Sequence, residues 1–280
     1  MSSQAARRPP AGPPRHWWRE LLLLALIYAA YDGSRLLVAG DLPEALRNGH
    51  ALLRAETWLH LAPEHWLNTA FTRHGWLAIP ADFSYATLHY LVTPLVLAWM
   101  WRRHRGHYRR VRTWLGISTV LGLVGFTTLP TAPPRLLEAS YDFTDSMQQH
   151  AAVGWWGGDA SAPKGLGDLT NQFAAMPSLH VGWALWCGLM LWFFARRRVV
   201  RVIGLLYPVM IATVVMGTAN HYLADALAGC AVMGLGGLLA PPALRLVDRA
   251  HRRSTVVAAH VPAHVPAQPT GSHDGAVRTG

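Results

Sequence analysis

The sequence runs to 280 residues, of which 51% are hydrophobic and only 14% charged, and its 25 bases against 15 acids leave a formal charge of +10. Soluble domains usually carry about 25% charged residues, so the charges here must be gathered in short clusters between long apolar stretches. That pattern argues against a soluble enzyme or an ordinary nucleic-acid binder, and suits a Trp- and Leu-rich membrane protein facing anionic lipid.

Residues 1–16 hold Pro-rich, arginine-containing patches, and no small-residue cleavage site follows the first apolar run. They are expected to form a disordered cytoplasmic N-terminus ahead of a retained transmembrane helix rather than a signal peptide. A span needs about 20 mostly apolar residues. Six segments qualify: Trp17–Ala39, Trp76–Trp101, Thr113–Leu129, Leu179–Ala195, Val199–Thr218 and His221–Ala240. Between the first two, Asp41 to Gly75 mixes Leu53, Trp58 and Trp66 with Arg54, Glu56 and Glu64, which reads as interfacial amphipathic helix rather than a seventh span. The expected fold is therefore an all-α integral membrane protein, a six-helix bundle over residues 17–250. Residues 251–280, with a repeated Ala-His-Val-Pro-Ala, read as a disordered cytoplasmic tail, and His260 and His264 within it as tail residues rather than metal ligands. Cys187 and Cys230 lie in apolar runs without zinc-ligand or Cys-x-x-Cys spacing, and read as buried thiols.

The bases orient the spans. Eighteen arginines precede the first span, separate the second from the third and the fourth from the fifth, and follow the sixth; the opposite side receives Arg47, Arg54, Arg73, Arg135 and Lys164. The positive-inside rule then puts both termini in the cytoplasm and the loops Asp41–Gly75 and Pro130–Pro177 outside. An arginine-rich, lysine-poor composition suits a GC-rich bacterial genome, so the expected location is a bacterial plasma membrane.

With the spans oriented, three polar constellations share the outer boundary. Pro130-Thr-Ala-Pro-Pro-Arg135 follows the third span, Met176-Pro-Ser-Leu-His180 opens the fourth and Asn220-His-Tyr-Leu-Ala-Asp225 opens the sixth. A four-residue spacing puts His221 and Asp225 on one helix face, where the carboxylate can accept a hydrogen bond from one imidazole nitrogen and leave the other as an oriented nucleophile or base. A structural hydrogen-bonded pair near the headgroups is the alternative for these two residues alone. Helix N-termini at Ser178 and His221, together with Ser178 and Arg135, can form a phosphate cradle, with His180 protonating a leaving oxygen. Asp142, Asp145, Asp159 and Asp168 are scattered rather than clustered, so no metal or other cofactor is expected.

Pro177-Ser-Leu-His180 and His221-x3-Asp225 resemble the second and third motifs of the type-2 phosphatidic acid phosphatase superfamily, Pro-Ser-Gly-His and Ser-Arg-x5-His-x3-Asp. The resemblance covers roughly Tyr85 to Leu239. It implies that His221 forms a phosphohistidine, that His180 is the general acid, and that Asp225 orients the nucleophile. Leu179 replaces the motif glycine, Val214 and Val215 occupy the Ser-Arg positions, and the first motif is absent in its usual form. Phe173-Ala-Ala-Met-Pro-Ser-Leu-His180 with Asn220-His-Tyr-x-x-Asp225 is similar to the branch containing fungal inositol phosphorylceramide synthases, which includes phosphotransferases. The implied substrate is a lipid phosphate or phosphodiester, with water or an alcohol such as inositol resolving the intermediate.

Tyr85 and His89 share a face of the second span and can line the pocket or simply pack there. Lys164 is either a phosphate contact or a solvated lysine. Asp32 and Arg35, three apart in the first span, read as an intrahelical ion pair. Two other classes compete with a lipid enzyme. A transporter or metal-binding protein using His180 and His221 as ligands lacks the third and fourth ligands such sites usually bring. A catalytically dead scaffold would not need His180, His221 and Asp225 together.

Overall fold

The structure, a computed structural model, describes residues 41–156 and 172–259 together with Trp18 and Leu22, with side chains as far as Arg252. Both chain ends, most of the first expected span with Asp32 and Arg35, and the loop containing Lys164, Asp159 and Asp168 lie outside the described residues. Trp18 and Leu22 are helical.

Described residues form helices without strands. The stretch expected to be amphipathic is two helices, α1 (Leu42–Trp58) and α2 (Pro63–Arg73). Each begins with a proline at its first or second position, where a missing N–H costs nothing. Both are two-faced. Ala45, Leu53, Leu67 and Phe71 point into the protein, whereas Trp58, Leu59, Leu61 and Trp66 are exposed around the turn that joins the helices.

Next come α3 (Gly75–Arg103) and α4 (Arg105–Thr128), separated only by His104. Arg105, Arg109, Arg110 and Arg112, expected in a loop, thus lie in the first turns of α4. A short irregular segment holds two 3-10 turns and the one-turn α5 (Ser146–Gln149). The last three helices are α6 (Leu179–Phe194), α7 (Arg198–Gly217) and α8 (Leu223–Ala259). α8 starts two residues later than the expected span and continues through Pro241 and Pro242. The chain divides into one unit ending at Pro242 and a second from Ala243, helical as far as Ala259.

By length and apolar character, α7 and the Leu223–Arg252 part of α8 can cross a membrane; α6 is apolar but has only 16 residues. Two described helices therefore meet the standard of a span, where the sequence suggested five in this region. The arginines in the first turns of α4, and the prolines and polar residues within α3, dilute those helices. On α7, Val202, Ile203, Leu205, Leu206, Val209 and Met210 are all exposed. An apolar face of this kind is what a helix turned toward lipid presents.

α6 lies at the centre. Its Trp186, Cys187 and Met190 are buried with Val96, Leu97 and Met100 of α3, Tyr108, Val111 and Leu115 of α4, and Met233 of α8. Tryptophan N–H groups, which need acceptors once buried, tie the helices together: Trp114 Nε1 donates to the Met233 carbonyl at 2.7 Å and Trp186 Nε1 to the Val111 carbonyl at 3.2 Å. On its other side α6 packs against α7 through Val181, Ala184, Ile211 and Val215.

The crossing of α6 and α8 sets the spacing of the two histidine motifs. A Cβ at Gly229 would collide with the Ser178 carbonyl oxygen, and one at Gly182 would press on the Gly229 carbonyl at 3.1 Å. Only backbone-to-backbone contact allows Ser178 N to donate to the Asp225 carbonyl at 2.9 Å. Gly229→Ala is expected to destabilise the fold by about 1–3 kcal/mol through this overpacking. Gly234→Ala, inside α8 and with its new methyl meeting nothing within 4 Å, is expected not to lower the melting temperature of the detergent-solubilised protein and to raise it slightly, because alanine favours helix by about 0.5–1 kcal/mol.

Candidate active site

His221 is not on a helix. It lies in the short link between α7 and α8, and its backbone N–H donates to the Val215 carbonyl at 3.1 Å, beside Asn220 N to the same carbonyl at 3.0 Å. Asp225 occupies the first turn of α8. One of its oxygens, Oδ2, accepts the Tyr222 N–H at 2.9 Å and the His221 Nδ1–H at 3.3 Å. An acidic residue reaching back from the first turn to the N–H just ahead of the helix is half of a capping box. The His221–Asp225 contact expected from helix-face spacing therefore forms for a different reason: the carboxylate that starts the helix also holds the imidazole. Asp225 is fully buried and His221 is 4% exposed. With Nδ1 donating to Asp225, Nε2 of His221 carries a lone pair.

His180 is the second residue of α6. Its ring centroid is 5.8 Å from that of His221, at an interplanar angle of 61°. Tyr85 stacks on His180 at 4.5 Å and 23°, and His89 meets it edge-on at 4.4 Å and 80°. His89 is itself fixed by Nδ1 to the Tyr85 carbonyl at 3.0 Å. Tyr85, His89 and His180 line a narrow crevice between α3, α6 and α7, together with Val214 and Val215.

Ser178 is fully buried at the N-cap of α6, with Oγ accepting the Val181 N–H at 3.5 Å. Its hydroxyl is engaged in starting the helix. The N-terminus of α8, expected to face phosphate, is also occupied: Ala224 N donates to Glu56 Oε1 of α1 at 2.5 Å and Tyr222 N to Asp225. An exposed helix end offers N–H groups to an anion, whereas here the protein's own carboxylates already take them.

Arg135 reaches the site from the 130–156 segment. Thr131 forms a parallel bridge with Ala174, and Thr131 N donates to the Phe173 carbonyl at 2.8 Å, tying the first polar constellation to the second. Arg135 N donates to the Ala219 carbonyl at 3.0 Å, tying it to the third. The guanidinium, almost wholly buried, donates from Nε to Asn220 Oδ1 at 3.0 Å and pairs through Nη1 with Asp145 Oδ2 at 3.5 Å. Asp145 also caps α5 through Gln148 N. α5 is pinned to α3 by fully buried Asp82, which accepts Ser146 Oγ and His150 Nδ1, both at 2.8 Å. A cation is thereby held against Asn220, the residue before His221, by a chain of largely buried polar contacts.

His180, His221, Asp225, Ser178, Arg135, Tyr85 and His89 are thus neighbours in space, while Lys164 lies outside the described residues. Sequence reasoning missed Asn220 as a partner of Arg135, Asp145 as its counter-ion, the Asp82–His150 anchor and the carboxylates at the start of α8. Asn220 adjoins His221 in sequence and could have been found there. The others come from distant elements, and no short motif signals them.

No curated protein sequence matches this chain. A crystal structure of Aquifex aeolicus LpxE aligns with it at 18% identity and a TM-score of 0.46, over 64% of this chain and 92% of that one. The motifs that meet here all fall within residues 50–239, which match the profile of the PAP2 superfamily; that match spans more than half of the sequence, and the chain belongs to this superfamily.

Proposed function

We propose that this chain is a membrane enzyme that removes or transfers the phosphoryl group of a lipid phosphate or phosphodiester by way of a phosphohistidine. The observation that carries the reading is the His221 Nδ1–Asp225 Oδ2 contact with the His180 ring beside it. Membership of the PAP2 superfamily supports it.

In the first step the Nε2 lone pair of His221 attacks phosphorus, the bond to the leaving oxygen breaks, and His180 gives that oxygen a proton. Asp225 keeps the Nδ1–H in place and balances the charge that the ring acquires. In the second step water or an alcohol attacks the same phosphorus, passes a proton to His180, and the P–N bond breaks to return His221. Charge on the non-bridging oxygens needs fixed positive groups. Val215 replaces the superfamily's arginine, and Arg135 is the cation we assign to that task, with Ser178 and the amides of the first turn of α6 beside it. For this the guanidinium must exchange part of its contact with Asp145 for phosphate.

Hydrolysis is the primary reading. Transfer to an alcohol such as inositol is favoured by the Phe173–His180 and Asn220–Asp225 motifs, which resemble the synthase branch. Incubation of the purified protein with lipid phosphates, with and without inositol or lipid alcohols, separates the two: free phosphate marks hydrolysis and a new phosphodiester marks transfer. His221→Ala should abolish either product. Arg135→Ala should cost about 2–4 kcal/mol of transition-state stabilisation, as loss of an oxyanion donor does. Near-normal turnover in His221→Ala would overturn the mechanism.

The scattered acids of the 130–177 segment suit a metal-independent reaction. Activity should survive EDTA and be inhibited by vanadate, which mimics pentacoordinate phosphorus. Loss in EDTA with recovery on adding magnesium or zinc would count against the reading.

We also infer a bacterial plasma-membrane location with six spans, both termini cytoplasmic and the site extracytoplasmic, supported by the distribution of arginines and the exposed apolar face of α7. A cysteine placed at exposed Gln149 should react with an impermeant maleimide in intact cells. One at exposed His107 should react only after lysis. The reverse pattern would invert the topology.

A further inference from the structure

The helices α1 and α2 each bury a glutamate. Glu56 is 5% exposed and Glu64 fully buried. Acidic side chains are almost never buried unless paired with a cation or a hydrogen-bond donor, and among the described residues neither forms an ion pair. Glu56 Oε1 accepts the Ala224 N–H of α8, but Glu56 Oε2, both Glu64 oxygens and Asp225 Oδ1 are buried without a hydrogen bond of ordinary geometry, the Glu64 and Leu223 amides lying near Glu64 but not well aligned with it. The two glutamate carboxyls face each other, with Asp225 close by on α8. A carboxylate offers only lone pairs, so two of them can bond to each other only if one carries a proton. Like charges in one buried site also cannot both ionise at ordinary cost. Burial, reinforced by Glu64, pushes Glu56 up to about 9. Burial raises Glu64 as well, partly offset by Glu56 and by the amides of Glu64 and Leu223.

We propose that Glu56 and Glu64 share one proton as an acid–carboxylate pair and act as positioning residues for the nucleophile. Glu56, the neutral member, accepts the Ala224 N–H with Oε1 and donates its proton from Oε2 to Glu64. The pair thereby clamps the first turn of α8, the turn that carries Asp225 and through it orients His221. The titratable groups facing the pair from α8 are Asp225 and Tyr222; the Tyr222 hydroxyl donates to the Ala132 carbonyl at 3.0 Å. This inference rests on the reading of His221 as nucleophile for its effect on turnover, but not for the proton itself.

The sign of the pH effect follows from linkage. A carboxyl whose pKa is higher in the folded than in the unfolded protein takes up a proton on folding. Its stabilisation is full below the ordinary glutamate range and is lost as pH rises toward the folded value. The melting temperature of the full-length protein in detergent should therefore fall between about pH 5 and about pH 9. In Glu56→Gln the amide oxygen can still accept from Ala224 and its NH2 can still donate to Glu64, with no proton to lose. That variant should flatten the slope and keep kcat within about threefold of the parent, whereas Glu56→Ala should lower kcat about tenfold to a hundredfold with little change in KM, as a misplaced nucleophile does. An unaltered slope in Glu56→Gln, a loss of kcat in Glu56→Gln as large as in Glu56→Ala, or an unaffected Glu56→Ala would each overturn the proposal. The slope needs no substrate, so it tests the shared proton even if the phosphoryl-transfer reading fails. If Glu56→Ala does not fold, Glu56→Gln alone still decides.

Discussion

The candidate site depends on one buried oxygen. Asp225 Oδ2 takes the N–H of Tyr222 and the ring N–H of His221 together, so the start of α8 and the direction of the imidazole are a single structural event. A carboxylate this deep has few ways to satisfy its lone pairs, and that scarcity fixes both donors. The second histidine is placed by the same end of the helix, because the Asp225 backbone carbonyl accepts the Ser178 N–H ahead of α6. Gly229 permits the approach. The start of α6, which carries His180, and the start of α8, whose Asp225 holds His221, are thereby tied together.

Around this point the protein uses polar groups where a soluble core would use apolar ones. Asn68 of α2 donates to the Thr144 and Gly217 carbonyls at 2.9 and 3.0 Å and accepts the Thr144 N–H at 2.9 Å, joining three distant segments. Asp82 holds α5 against α3, and Asp145 holds Arg135. Buried polar networks cost heavily when incomplete, which restricts each segment to one position. The 130–156 segment, although largely irregular, therefore delivers its arginine as firmly as a helix would. Beside the site, the glutamates of α1 and α2 and one oxygen of Asp225 break the rule, as Trp101 Nε1 and Ser118 Oγ do elsewhere among the described residues; at the glutamates the proposed shared proton resolves most of the deficit.

What the sequence disclosed follows from the range of the forces involved. Hydropathy marked α6, α7 and α8 because their apolar character is continuous along the chain. By the same measure α3 and α4 fall short of what α7 and α8 meet, because arginines and prolines interrupt their apolar runs. The motifs at His180 and His221 to Asp225 were legible because each is written in four or five consecutive residues. The reason for the His221–Asp225 contact was not legible: a spacing of four fits a helix face, whereas the backbone places His221 ahead of the helix and Asp225 in its capping turn. Glu56 and Glu64 stood in plain view in an amphipathic stretch, but burial comes from tertiary packing, and nothing local distinguishes a solvated glutamate from one enclosed against the first turn of α8.

The central claim is that His221 accepts the phosphoryl group. The most direct measurement is mass-spectrometric mapping of protein quenched with alkali during turnover of a radiolabelled lipid phosphomonoester. Phosphate bound through nitrogen is stable in alkali and lost in acid. The account predicts acid-labile label on the peptide carrying His221, absent from His221→Ala. Label on a serine or an aspartate, or turnover at full rate with no covalent phosphate at any time, would contradict it.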